Sequence, residues 1–471
     1  MKIFNSFTHK LETFVPLNEG KITFYSCGQT VNNVLHVGAA RTYSQWDTIV
    51  KYLRWRGFDV VYIRNFTDVG HLTDDADQGK DKIIEKANER NLKPMELAET
   101  LIREFLRDTD ALNIARPNIA PRATAHIPEM IAMIKTLIEK GYAYETERGI
   151  YFDTQRFPNY GKMANIGEIT QLPGVRIAVD PFKRNSKDFA LWIKAGPNHL
   201  LQWDSPWGKG YPGWSIECSV MAIKYLGETI DIHAGGMEHM MLHHPNERAQ
   251  SEAATGKPFA RYWIHAALVQ LNKKKMAKSG KFISVQKLLQ KYSGNLIRFY
   301  LVNSHYRAVV DFSEEQIENM RESFDKLMTT IITLRSFLKT TNFKSDELSN
   351  QGKQFKQEFI SSMDNDFNVA EAWRVIHDLT NHLNVKTKEG ATAHCAADFQ
   401  LFLDLLAIMG IKAPPKEMDS FKLIESFIDF RNHLRAGKNF ELADKIRDIL
   451  LNSGIILEDK SFGTIYRLKK W

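Results

Sequence analysis

The sequence predicts an α/β protein with a parallel sheet at its centre and a helical C-terminal part. The first observation is an apolar, β-branched segment at 21–26, a helix-opening run and a second such segment at 60–64. That order is the strand–helix–strand unit of a parallel sheet with a right-handed crossover. Two further segments of this kind follow at 227–232 and 263–269. Beyond about residue 304 the apolar spacing becomes that of amphipathic helices.

The remaining elements follow from local patterns along the chain. We expect the first helix over about 36–56 and mainly helical structure over about 90–140, where apolar residues recur on one face. Short aromatic segments alternate with Pro and Gly over 142–203, which indicates an inserted subdomain. The strand at 227–232 is expected to end in a turn at 233–236. Ligands of such open sheets bind at the carboxyl ends of the strands.

Length and composition exclude several classes of protein. At 471 residues the chain is too long for one core, and 43% hydrophobic with 25% charged residues is ordinary for a globular protein. No apolar run approaches the length of a membrane-spanning helix, and the first residues lack a signal peptide's apolar stretch. Three cysteines argue against a disulfide framework. We therefore expect a cytoplasmic protein without membrane contact, whose net charge of +7 is compatible with a polyanionic partner.

A candidate metal site is formed by two cysteines, a histidine and a glutamate. His243 and Glu247 are four residues apart, so they share one face of a helix, and Pro245 between them is tolerated at the helix start. Cys27 and Cys218 are expected at strand ends. Two thiolates, an imidazole and a carboxylate are a full tetrahedral set for zinc. For either cysteine alone, a small buried apolar side chain is the simpler interpretation.

A candidate phosphate site is formed by two short motifs. Gly38 at a helix start lets a phosphate approach backbone N–H groups, and His36 can donate to a phosphate oxygen. Some 240 residues later, Lys275 and Lys278 lie three apart in a loop that ends in Gly280 and can neutralise a leaving pyrophosphate. The His-x-Gly motif alone is weak. Together with the lysine motif in a strand–helix–strand core, it indicates ATP chemistry.

These two motifs resemble the His-Ile-Gly-His and Lys-Met-Ser-Lys-Ser signatures of class I aminoacyl-tRNA synthetases. The blocks around them resemble the cysteinyl-tRNA synthetase family: Cys27-Gly28, 212–219, 231–236, 243–247 and 442–464. The resemblance spans nearly the whole chain. It implies a Rossmann-like parallel-sheet core with an inserted connective subdomain and a C-terminal α-helical tRNA-binding region.

The resemblance also implies a division of the chain into five parts. They are 1–120, the first half of the Rossmann-like core; 121–205, the connective subdomain; 206–304, the second half with the lysine loop; 305–413, a helical bundle; and 414–471, a small anticodon-binding domain. The implied reaction is ATP-dependent activation of L-cysteine and its transfer to the 3′-terminal adenosine of the tRNA for cysteine. Mg²⁺ accompanies ATP in such chemistry. A monomer is expected.

The family's functional residues carry over to matching positions of this chain. Those implied to bind one zinc ion, with the substrate's thiolate completing its coordination, are Cys27, Cys218, His243 and Glu247. Those implied to line the amino-acid pocket are Thr67, Trp214 and His233. Those implied to bind ATP are His36, Gly38, Lys275 and Lys278, of which His36, Lys275 and Lys278 are also catalytic.

Several positions depart from the family's pattern, and two of them lie in the motifs that carry the predicted sites. Ala39 stands where the first signature usually ends in a polar residue, and Ser215 stands where a histidine is common beside the metal cysteine. Two alternatives stay open: a ligase that joins cysteine to an amino sugar, and a non-catalytic tRNA-binding paralogue. Glu217 is expected to be solvated or salt-bridged rather than a general base, because the substrate carboxylate is already the nucleophile.

Overall fold

The computed structural model describes most of the chain. Its described residues are 1–69, 82–164, 181–196, 199–271, 274–275, 282–341, 346–389, 394–414, 420–460 and 463–468. The chain forms two compact units, Met1–Ala413 and Pro414–Trp471. Within the described ranges no helix combines the length and the apolar character needed to cross a bilayer. The division into five domains stays a prediction.

The strands of the described residues are numbered in chain order. They are β1 Lys2–Asn5, β2 Lys10–Thr13, β3 Lys21–Thr30, β4 Asp59–Thr67, β5 Ala143–Glu145, β6 Gly149–Phe152, β7 Phe189–Lys194, β8 Gly210–Pro212, β9 Ile230–Gly236, β10 Ala260–Ala266, β11 Val269–Leu271, β12 Lys274–Lys275, β13 Val310–Phe312, β14 Ile455–Lys460 and β15 Gly463–Leu468.

The α-helices of the described residues are numbered likewise. They are α1 Val37–Trp55, α2 Lys82–Glu89, α3 Pro94–Ala111, α4 Ile127–Glu139, α5 Ile216–Leu226, α6 His243–Thr255, α7 Val285–Leu289, α8 Gly294–Leu301, α9 Glu314–Asn319, α10 Arg321–Thr341, α11 Asn350–Asp364, α12 Val369–Glu389, α13 Cys395–Ile408, α14 Ser420–Ala436 and α15 Phe440–Asn452.

The central sheet has the order β10-β9-β3-β4, and every neighbouring pair is parallel. Helix α1 connects β3 to β4, so the predicted strand–helix–strand unit is confirmed. Side chains alternate between two cores along β3: Phe24 belongs to the core on one face, Tyr25 and Cys27 to the core on the other. The sheet is therefore buried on both faces, as parallel sheets are.

Two predicted strand boundaries are wrong. The residues 233–236 are not a turn but the second half of β9, because His233–Gly236 pair in parallel with Trp263–Ala266 of β10. The segment expected as one strand to residue 269 ends at Ala266. There the chain leaves the sheet, because both backbone groups of Ala267 have partners outside it. The Ala267 carbonyl accepts a hydrogen bond from the buried Arg41 guanidinium, and the Ala267 N–H donates to Tyr306 O.

The inserted region is an antiparallel sheet of order β5-β6-β7-β8. Its strands extend to Pro212, slightly beyond the predicted end of the insertion. Trp192 is fully buried and its ring lies 6.3 Å from that of Trp207. These two tryptophans serve packing.

Beyond residue 304 the first unit is mainly helical, as predicted, and one short strand, β13, pairs in parallel with β11. Helices α11, α12 and α13 bury Phe359, Trp373 and Phe402 in the core that also contains one face of the central sheet. The second unit is a pair of helices with the hairpin β14–β15, built around five apolar residues: Ile424, Ile428, Ile446, Leu450 and Leu457.

Candidate metal centre and nucleotide site

Three elements bring the four predicted metal ligands together. Cys27 lies on β3, Cys218 in the first turn of α5, and His243 and Glu247 on one face of α6. One ligand atom from each residue lies within 4.8 Å of those from the other three. The expectation that Cys218 follows a strand is wrong, because a helix begins two residues before it. Pro245 is the third residue of α6, a position where its missing N–H costs no helical hydrogen bond.

The donor atoms have the spacing of a metal site. Cys27 Sγ lies 3.3 Å and His243 Nε2 lies 3.0 Å from Glu247 Oε1. Ligand atoms around a tetrahedral ion with bonds of about 2.0–2.3 Å are separated by about 3.3–3.8 Å. The group could therefore hold a metal ion after small movements. All three cysteines of the chain are free thiols, and the third, Cys395, lies on α13.

Burial and close charges govern the protonation of this group. Burial, with Cys218 and Glu247 close by, raises the pKa of the Cys27 thiol well above its ordinary value. Burial raises the pKa of Glu247 as well, but His233 and His243 outweigh it and hold that pKa at about 2. Burial lowers the pKa of His243, yet Glu247 and Cys218 outweigh it and hold the pKa well above the ordinary value. A cation is the charge that would stabilise both thiolates here.

His233 and His244, which were not predicted as metal ligands, lie beside the predicted ligand set. Cys27, His233, His244 and Glu247 also bring one ligand atom each within 4.8 Å of the others. His244 Nδ1 lies 2.7 Å from His265 Nε2, so the His265 ring orients the His244 ring. The sequence did contain a signal for His244. Like His243, it precedes Glu247 at a spacing, three or four residues, that places both on the same side of a helix. His244 and His265 are thus functional candidates that the motif alone missed.

The three residues predicted for the amino-acid pocket all lie close to the ligand set. His233 Nε2 is 2.8 Å from Glu247 Oε2, and the buried His233 ring stacks on Trp263 at 4.5 Å. The Trp214 ring lies 4.5 Å from that of His243. Thr67, at the end of β4, accepts a hydrogen bond from Asn65, whose side-chain oxygen lies 3.9 Å from Cys218 Sγ. His233 and Trp214 contact ligand residues directly, and Thr67 is connected to Cys218 through Asn65. The role of the three in substrate binding stays a prediction.

Close packing requires two glycines at this site. A Cβ on Gly28 would overlap the carbonyl oxygen of Asn65, so β3 and β4 can approach this closely only with glycine there. A Cβ on Gly235 would lie 2.6 Å from His244 Cε1 and 2.7 Å from His239 Nδ1. Gly235 therefore allows the imidazoles to approach the sheet. Neither glycine was predicted as a site residue.

The expectation that Glu217 is solvated or salt-bridged is wrong. Glu217 is 1% exposed, and its Oε2 accepts a hydrogen bond of 2.8 Å from the Ser215 backbone N–H. Among the described residues its Oε1 has no hydrogen-bond partner. Burial raises the pKa of the Glu217 carboxyl. The residue belongs to the structural support of the loop that leads into α5.

The predicted ATP-binding residues His36 and Gly38 lie at the start of α1, and we call this region the nucleotide side. His36 is the N-cap of α1, and its Nδ1 accepts a hydrogen bond of 3.2 Å from Ala39 N–H. A neutral imidazole that accepts at Nδ1 carries its proton on Nε2, which is the donor that the predicted phosphate role requires. A Cβ on Gly38 would lie 3.1 Å from His36 Nδ1, so glycine leaves room for this cap.

The segment that follows the lysine loop lies beside the start of α1. Val37 N–H donates to Ile283 O at 3.0 Å, and Val285 N–H donates to Leu35 O at 2.9 Å. These bonds place the segment just after the loop beside His36. The Lys275 backbone lies on β12 opposite Gln270. Lys278 lies outside the described residues, so its position stays a prediction.

Comparison with known proteins identifies the family. Residues 13–322 match the family described as tRNA synthetases class I (C) catalytic domain, and residues 358–413 match the DALR domain. Proteins named cysteine–tRNA ligase from Chlorobaculum tepidum and Symbiobacterium thermophilum are each 42% identical to this chain. The first alignment covers 100% of this chain and 99% of the relative, the second 99% of both. A relative of the same name from Thermococcus onnurineus is 40% identical over 99% of both chains.

Solved structures show the same fold. Methionyl-tRNA synthetase of Mycobacterium tuberculosis in complex with methionyl-adenylate superposes with a TM-score of 0.59 at 14% sequence identity, covering 83% of this chain and 89% of that one. A second structure of that enzyme gives a TM-score of 0.58. At this identity the likeness concerns the fold alone, and it agrees with the parallel sheet described above. By its sequence matches over the whole chain, the protein belongs to the cysteine–tRNA ligase family of class I tRNA synthetases.

Proposed function

We propose that this chain carries out the cysteine–tRNA ligase reaction. L-Cysteine and ATP give cysteinyl-adenylate and pyrophosphate, and the cysteinyl group then passes to the 3′-terminal adenosine of the tRNA for cysteine. The observation that carries the amino-acid assignment is the buried group of two thiols, an imidazole and a carboxylate within 4.8 Å. The relatives named cysteine–tRNA ligase match over 99–100% of this chain. The amino-sugar ligase and the non-catalytic paralogue find no support in these matches.

Zinc is the ion we propose for this group, held by Cys27, Cys218, His243 and Glu247. A zinc ion held by these residues would supply a Lewis acid that binds the thiolate of cysteine much better than the hydroxyl of serine, which is a poorer ligand. The residues nearby hold the donors in place. His233 orients the Glu247 carboxylate through its 2.8 Å contact, and the Trp214 ring packs on the His243 ring.

Activation of the amino acid needs no general base, because the cysteine carboxylate is already a nucleophile. It attacks the α-phosphate of ATP in line and expels pyrophosphate. His36 donates from Nε2 to a phosphate oxygen while Nδ1 caps α1, and Gly38 gives the phosphate access to the N–H groups of that helix start. Lys275 and Lys278 neutralise the charge that develops on the leaving group, and Mg²⁺ accompanies ATP.

We assign tRNA binding to the helical part of the chain after the catalytic core. The DALR match over 358–413 supports a tRNA-binding role for this part, together with the net charge of +7. A monomer in the cytoplasm is the state we propose. The three free, buried cysteines support a reducing compartment. Sedimentation of the purified chain tests the monomer.

The experiment that tests the function measures ATP–pyrophosphate exchange with cysteine and with serine, followed by charging of the tRNA for cysteine. We expect exchange with cysteine only, and charging of that tRNA. Exchange without charging would favour the amino-sugar ligase. Absence of exchange from protein that contains one zinc ion per chain would contradict the catalytic assignment.

A further inference from the structure

Ser215 has an unusual backbone for a residue with a side chain. Its φ is 121° and its ψ is −28°, in the region that favours glycine, and the residue is fully buried. Non-glycine residues keep such conformations only where their surroundings enforce them. Here the Glu217 carboxylate accepts the Ser215 N–H at 2.8 Å, which ties the backbone down from inside the core.

The Ser215 hydroxyl does not play the part usual at this position. Ser215 is the N-cap of α5, where a serine oxygen normally accepts an N–H of the first helical turn. No such side-chain hydrogen bond is made here. Instead Ser215 Oγ lies 3.2 Å from Nδ1 of His243, on another helix. The strained backbone therefore turns the hydroxyl away from the helix and toward the imidazole.

This contact determines which ring nitrogen of His243 is unprotonated and can therefore bind a metal ion. The ring's other nitrogen, Nε2, lies 3.0 Å from Glu247 Oε1, within the donor group. If Nδ1–H donates to Ser215 Oγ, Nε2 is unprotonated and can bind a metal ion. Histidine ligands commonly need such a partner behind them, which fixes both the tautomer and the ring plane.

We propose that Ser215 is a positioning residue for His243: its hydroxyl accepts Nδ1–H and presents Nε2 to the metal, and Glu217 holds Ser215 in the backbone conformation that makes this contact possible. The inference rests on the proposed zinc site. The hydroxyl of Ser215, on its strained backbone, is the hydrogen-bond acceptor for His243 Nδ1–H.

The test compares zinc affinity among four purified full-length proteins: wild type, Ser215→Ala, Ser215→Gly and Ser251→Ala. Affinity is measured by competition with a chromophoric chelator, and unfolding temperature is measured on the metal-free proteins. Ser251 is a matched control, because it is a fully buried serine on α6 whose hydroxyl has no partner among the described residues. Ser215→Gly also removes the Cβ that the positive φ strains.

We expect both Ser215 variants to bind zinc about 10- to 100-fold more weakly than wild type, the usual effect of losing such a partner. Ser251→Ala should bind zinc like wild type. Exchange activity of the Ser215 variants should recover with added zinc, and the half-saturating zinc concentration should rise by the same factor. Metal-free Ser215→Gly should unfold at or above the temperature of Ser215→Ala. A merely structural role would lower the unfolding temperature without this zinc-dependent recovery.

The outcomes separate this inference from the proposed function. If wild type binds zinc but a folded Ser215→Ala or Ser215→Gly binds it equally tightly, the inference is overturned and the zinc site stands. If wild type itself takes up no zinc, the proposed metal fails and this inference fails with it. If Ser215→Ala does not fold, Ser215→Gly decides the question alone, because it removes the hydroxyl and the strain together.

Discussion

The metal side and the nucleotide side of the catalytic core are built differently. On the metal side, Cys27, Cys218, His243 and Glu247 are at most 6% exposed and come from a central strand and two helices. On the nucleotide side, His36 is only half-buried, where it caps the start of α1 and pairs with Ser284. The comparison teaches that the proposed metal ligands are part of the folded core, whereas the proposed phosphate-binding groups lie at a helix end. Changes on the first side should affect metal and fold together, and changes on the second mainly the rate.

Loss of a metal ligand should have the largest effect. Cys218→Ser is expected to lose zinc and cysteine activation together, by more than the roughly 100-fold that loss of an outer partner costs. Zinc content after desalting and ATP–pyrophosphate exchange measure the two losses. Cys395→Ser is the matched control, because this cysteine is also buried but lies on α13. A Cys218→Ser protein with full zinc and normal exchange would show that the ligand set is wrong.

A pair of glycines compares the two sides directly. Gly28→Ala should cost at least about 3 kcal/mol of stability, because its Cβ overlaps backbone that cannot move aside. Gly38→Ala meets side chains rather than backbone, the His36 ring at 3.1 Å and Val269 Cβ at 3.9 Å, so it should cost about 1 kcal/mol or less while slowing exchange. Urea unfolding and exchange kinetics test both. Equal destabilisation by the two substitutions would contradict the difference between the two sides.

His36 should affect the rate without affecting the metal. His36→Ala is expected to slow exchange by about 10²–10³-fold through loss of a donor to the transition state. It should also cost about 0.5–2 kcal/mol through loss of the helix cap. His36→Asn retains a good N-cap, so it should recover the stability but not the rate. Zinc content should equal that of wild type in both variants, and zinc loss in either would show that the two sides are not separable.

The smallest effect is expected for Glu217→Gln, and Glu217→Ala is its comparison. Glu217→Gln retains an oxygen that can accept the Ser215 N–H, so zinc affinity should change by less than about 3-fold. Glu217→Ala removes that acceptor and should weaken zinc binding toward the level of Ser215→Ala. Chelator competition measures both variants. A large loss in Glu217→Gln would mean that the negative charge, rather than the hydrogen bond, supports the site.

Much of the site could be predicted because motif and spacing encode it. The i,i+4 pair His243 and Glu247 shares a helix face, as predicted, and the parallel sheet was expected from its strand–helix–strand order. The matches to relatives confirm the expected family and reaction class.

What could not be predicted depends on contacts between distant segments. The β9 strand includes Gly235 and Gly236 because β10 pairs with them, although two adjacent glycines favour a turn. Glu217 was expected to be solvated or salt-bridged, as glutamates usually are, but it is buried and accepts the N–H of Ser215. Ser215 resembles an ordinary helix cap until its backbone angle and its contact with His243 are known.

The most direct test of the account uses Co²⁺ in place of zinc, because its visible spectrum reports thiolate ligands. Cobalt-loaded protein is titrated with L-cysteine and, separately, with L-serine, in the absence of ATP. The account predicts that cysteine strengthens the thiolate-to-cobalt charge-transfer band in a saturable way and that serine leaves the spectrum unchanged. Identical spectra with both amino acids, in protein that activates only cysteine, would contradict the claim that the metal held by Cys27, Cys218, His243 and Glu247 recognises the substrate's sulfur.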